Sequence, residues 1–168
     1  MAEPAELVDL REKLDSHRRA LLGLVSGLTE EAAALQPHGE WSVKQQLAHA
    51  ATAERVWRDG ALLTLSRSGG LPQQWAAAVQ EGVAEANGRS LTDLLSTLER
   101  ERRETLHKAA TLSAEQLQVR GPHPAYGGEM SVLQMLRAIY RHDRMHSEQV
   151  QGQPTSFQPR RQDARRGS

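Results

Sequence analysis

The seven prolines constrain this chain more than any other feature. They fall at positions 4, 37, 72, 122, 124, 154 and 159. A proline inside a helix removes a backbone hydrogen bond and clashes with the preceding turn, so helices must lie in the intervals between prolines. Leucines fill those intervals at helical spacing. Leu7, Leu10, Leu14, His17, Leu21, Leu24 and Leu28 alternate steps of three and four, which predicts a first helix from about Glu6 to Gly27 with one core-facing stripe. Pro37, His38 and Gly39 then turn the chain.

The other three helices announce themselves by their caps. Ser42 with Gln45 three residues on is a capping box, and it opens a second helix that runs to about Ser66. Its apolar positions are Val43, Leu47, Ala50, Trp57 and Ala61, with Glu54 intruding. Ser90 caps a third helix to about Ala110, with Leu91, Leu94, Leu95, Leu98, Leu106 and Ala109 inward and the run ERERRE read as a solvated face. Ser131 with Gln134 opens a fourth, to about Val150. The stretches between the second and third helices and between the third and fourth are long. The first of them, with a short helix around Trp75 to Ala86, would let the chain cross the bundle so that helices two and three run the same way.

Composition agrees with an all-α, four-helix bundle. There are 22 Leu against nine Val and one Ile, and β-branched residues lose rotamer freedom in helices. With three Trp, two Tyr and one Phe, the core must be aliphatic. A chain of 168 residues suits one domain, expected over 1–151, followed by a polar, basic tail over 152–168 expected to lack fixed structure. The net charge is zero, which argues against a nucleic-acid-binding protein. Arg160, Arg161, Arg165 and Arg166 are a local exception, read as a solvated tail. Neither a signal peptide nor a membrane-spanning run is visible, so a cytoplasmic protein is expected. With no cysteine, a metal site would need His, Asp or Glu.

The histidines offer one. His142 and His146 are four apart on the fourth helix, on the continuation of the stripe through Ile139. At about 3.6 residues per turn they lie one above the other and can share an ion. His49, inside the second helix, is the candidate third ligand. The spacing alone is a weak signal, and histidines satisfied by hydrogen bonds in the core or at the surface explain it more simply. His17 reads first as a hydrogen-bonded core histidine, with a ligand or a group that orients one as the alternatives. Asp143 either orients a ligand or is exposed. Glu54 is a candidate base or ligand-orienting group, or a structural salt-bridge partner. Trp57, Trp75 and Tyr140 read as packing residues; His38, His107 and His123 carry no assigned role. No phosphate-binding glycine loop and no nucleophile elbow is present.

The segment EWSVKQQLAHAATAERVW resembles a helix signature of the DinB/YfiT-like superfamily: a Trp-Ser start, then Leu-x-His, then a Glu. MSVLQMLRAIYRHDRMHSEQV resembles that family's last helix, in which a capped apolar run leads to His-x-x-x-His-x-x-Gln. Trp75, Asn87 and the Ser90-Leu91 start fit between them, so the likeness spans about residues 5–151. The resemblance implies an up-down-down-up bundle and a metal site at His49, His142 and His146, with nickel or zinc the usual occupant. It also implies a frequent homodimer and chemistry on small-molecule substrates that sometimes involves a low-molecular-weight thiol such as mycothiol or bacillithiol. Three functions follow. The first is a metal-dependent thiol S-transferase or hydrolase, with Glu54 or Asp143 moving protons beside a site with open coordination positions. The second is a non-catalytic, metal-stabilised stress-response or binding module. The third is a metal-free helical interaction protein.

Overall fold

The computed structural model describes residues 4–66, 69–123 and 128–155. The chain is mostly helical. Among the described residues the four long helices are α1 (Ala5–Val25), α3 (Val43–Leu65), α5 (Leu91–Ala109) and α7 (Val132–Val150), with three short ones, α2 (Glu30–Ala34), α4 (Trp75–Ala78) and α6 (Ala114–Gln118). Both predicted capping boxes form: the Ser42 and Ser131 hydroxyls accept from the amides of Gln45 and Gln134, whose side-chain oxygens in turn accept from the cap amides. These bonds satisfy amides that the first turn of a helix otherwise leaves open, so the two starts lie where the sequence puts them. The Ser90 hydroxyl accepts from the Asp93 amide in the same way.

The connections carry more structure than the sequence suggests. The expected helix near Trp75 ends at Ala78, and a 3-10 turn follows at Ala86–Gly88. The stretch before α7 holds α6 and an antiparallel hairpin, β1 (Arg120–His123) with β2 (Gly128–Ser131). The hairpin sits tightly on the end of α3, where a Cβ at Gly121 would fall 2.5 Å from the Thr64 hydroxyl. The basic tail's arginines lie outside the described residues.

The long helices pack α1 on α7, α7 on α3, α3 on α5 and α5 on α1. The pairings give directions. Arg18 donates to the Leu98 carbonyl while Arg102 donates to that of Leu14, so α1 and α5 are antiparallel where they meet. Asp9 pairs with Arg137 and Arg18 with Asp143, so α1 and α7 run together. The core falls into two apolar groups. One holds Leu7, Leu10, Leu14, Trp57, Met135 and Ile139; the other holds Leu21, Val25, Leu47, Leu94 and Leu98.

The stripe on α1 drifts from its predicted line. Arg18, not His17, takes the buried position between Leu14 and Leu21, and Val25 is buried rather than Leu24. A straight helix turns about 3.6 residues rather than 3.5, so a strict three-four pattern slips sideways over several turns. On α5 the run ERERRE is not wholly solvated, since Arg102 is buried. Among the described residues, no helix is long and apolar enough to cross a membrane.

Candidate metal centre

His49 from α3 and His142 and His146 from α7 meet in the bundle. One ligand nitrogen from each lies within 4.8 Å of the others. The ring centroids are 4.5 Å apart for His142 and His146, 4.8 Å for His49 and His142, and 5.4 Å for His49 and His146. His49 and His146 are buried, and His142 is half-buried. Trp41, just before α3, sets its ring edge-on to His49 at 4.8 Å. The Gln46 side-chain amide donates to the Trp41 carbonyl at 3.3 Å.

The donor set fits a divalent ion. His49 Nδ1 is 2.6 Å from the carbonyl oxygen of Val79. A carbonyl only accepts, so Nδ1 carries the proton and Nε2 keeps its lone pair. A backbone carbonyl on the far nitrogen is how ligand histidines are usually oriented. His146 leaves both ring nitrogens buried without a hydrogen-bond partner. The Gln149 side chain lies near enough to favour the protonated ring slightly, yet outside bonding geometry. A buried polar group without a partner is costly, and an ion would supply the missing one.

Burial also keeps the imidazoles neutral. It lowers His49, partly offset by the Val79 carbonyl. It lowers His142 far below the ordinary value, with His146 and His49 adding to the effect. Burial, then the proximity of His49, lowers His146 to about 3. Neutral imidazole is the form that ligates, so protons compete weakly with metal at neutral pH.

Beside the histidines lies a second buried group. Arg18 donates to Glu54 at 2.6 Å and to Asp143 at 3.0 and 3.2 Å. Arg102 donates to Glu54 at 2.9 and 3.3 Å and to Asp143 at 2.7 Å. All four residues are at most 5% exposed. Burial pushes the Asp143 carboxyl up, but Arg18 and Arg102 outweigh it and hold it below its ordinary value. Glu54 and Asp143 thus both sit in salt bridges. Neither arginine is singled out by the sequence: Arg18 carries no reading there, and Arg102 falls in the run ERERRE read as solvated. The available signal was a charge at stripe spacing, four beyond Leu14 and four beyond Leu98.

The remaining candidates lie elsewhere. His17 is half-buried and stacks on Tyr140 with centroids 5.4 Å apart. Burial lowers its pKa. His123, given no role by the sequence, is 2% exposed and packs between Trp57 at 5.4 Å and Trp75 at 5.2 Å. His107 is exposed in the last turn of α5.

No curated protein and no solved structure matches the chain. A family model described as DinB superfamily matches residues 13–150, a span that holds all three histidines and all four members of the ionic cluster. The chain belongs to the DinB superfamily.

Proposed function

We propose that this protein is a metal-dependent enzyme whose single divalent ion, nickel or zinc, is held by His49, His142 and His146. The observation that carries the reading is the pairing of an oriented His49 with a buried, unpartnered His146. Three protein ligands leave coordination positions for a small-molecule substrate. When bound, such an ion acts as a Lewis acid and lowers the pKa of water or of a thiol. That chemistry suits a hydrolase or a thiol S-transferase using a low-molecular-weight thiol. His142 and Trp41 are both half-buried, which suits access of a small molecule to the centre. Glu54 and Asp143 are tied into salt bridges, which suits holding the helices better than moving protons. An up-down-down-up bundle supports the same reading, and the parallel α1–α7 and antiparallel α1–α5 pairings favour it.

The neutral histidines also suit a non-catalytic role, in which the ion ties α3 to α7 and stabilises the native chain. Elemental analysis of untagged protein beside His49→Ala and His146→Ala tests the metal. Near-stoichiometric metal lost in both variants is expected; a metal-free wild type after incubation with nickel and zinc would refute the reading. Turnover in hydrolysis or thiol-transfer screens by the loaded protein, absent in both variants, separates catalysis from the stabilising role.

A further inference from the structure

We propose that the Arg18–Glu54–Arg102–Asp143 cluster is the positioning element of the histidine centre, holding α3 and α7 at the register where His49 faces His142 and His146. The proposal rests on the metal-binding reading above. Its support is the distribution of the four charges over the helices. The histidines come from α3 and α7 alone. Each of these helices also gives one carboxylate close to its ligands: Glu54 is five residues after His49, and Asp143 lies between His142 and His146. The two arginines come from α1 and α5, which supply no histidine to the centre. Each guanidinium bonds both carboxylates, and each also donates to a backbone carbonyl of the other arginine's helix.

A slide of α3 against α7 would therefore part a guanidinium from a carboxylate in the dry interior. Apolar layers tolerate such shifts by repacking, whereas a broken buried ion pair leaves charges uncompensated. The histidine rings lack any comparable tie. His146 has no bond, and His49 is anchored to the connection after α4 rather than to α7. The spacing of the three nitrogens is then set by the helices, and the helices by the cluster. The paired charges suit this role because they need no ion for their own satisfaction.

Cobalt(II) titration of Arg18→Lys and Arg102→Lys tests this, with folding checked by circular dichroism. Lysine keeps the charge, but one ammonium cannot replace a planar fork that reaches two carboxylates and a carbonyl. We expect affinity about 10- to 100-fold weaker and an altered visible ligand-field band. Leu117→Ala is the control. Leu117 is fully buried in α6, outside both polar groups. It should lower the unfolding midpoint yet leave affinity within about twofold, as distant sites do.

Folded lysine variants with wild-type affinity and spectrum would overturn the proposal, as would an equal loss in Leu117→Ala. Should one lysine variant fail to fold, the other and Glu54→Gln give the same readout. A wild type that binds no cobalt removes the metal reading and this proposal together. Wild-type binding that His146→Ala abolishes and the lysine variants retain leaves the metal reading standing and removes only this one.

Discussion

The bundle buries two polar groups next to each other on α3 and α7 and completes only one of them. In the ionic cluster each arginine meets both carboxylates, and the charges sum to zero. In the histidine trio His146 has two buried nitrogens without a partner, and only His49 is fixed by a bond. Burial alone therefore does not tell a structural polar group from a functional one. The difference lies in satisfaction: a finished network rigidifies the fold, and an unfinished one leaves atoms that a ligand would satisfy.

Removing a member of the finished group should cost most. Glu54→Ala leaves two buried guanidiniums undercompensated, and we expect a loss of about 3–5 kcal/mol in urea unfolding of the metal-free protein. A loss under about 1 kcal/mol would erase the contrast, since that is the range of an exposed pair.

Completing the unfinished group should stabilise it. Free nickel or zinc at about 100 times its dissociation constant should raise stability by about 2.7 kcal/mol, read as a shift in thermal midpoint. His49→Ala and His146→Ala should abolish the shift.

Acid should act on the metal-free histidines first. His146 is lowered to about 3 from an ordinary 6.5, so the unfolded chain binds more protons between those values. Stability is then full above about pH 6.5 and falls as pH drops, by about 2 kcal/mol at pH 5 for this group. Asp143, also lowered, loses its contribution only below its unfolded value near 3.8. Unfolding of wild type and His146→Leu across pH 4–8 checks the sign, and the variant should show a flatter slope. The smallest effect should come from His146→Leu itself in the metal-free protein at pH 7. Replacing an unpaired buried imidazole by an apolar group of similar size should change stability by less than about 1 kcal/mol, or increase it.

Local features made much of this legible. Ser42, Gln45, Ser131 and Gln134 marked two helix starts because a capping box is complete within four residues. His49, His142 and His146 were legible as candidates because one helix turn pairs the last two and His49 lies inside a capped helix, a choice that the family likeness reinforced. Other features depend on distant residues. Arg18 and Asp143 are 125 positions apart, and no local pattern joins them. Arg102 looked like part of a charged surface until the rotation of α5 turned it inward. The Val79 carbonyl that orients His49 comes from a connection whose path no periodicity encodes, and His123 became an aromatic packing residue only once the hairpin folded over Trp57 and Trp75.

The sequence by itself determined where the long helices begin, which residues are apolar along them and which side chains have ligand chemistry. Those are properties of neighbours within a turn or two, governed by backbone hydrogen bonding and side-chain periodicity. Only the tertiary structure decided which charges are paired and which histidine nitrogens remain open. Pairing depends on the rotation and register of four helices packed at once, and a shift of one residue on any of them would exchange a buried partner for a solvated one.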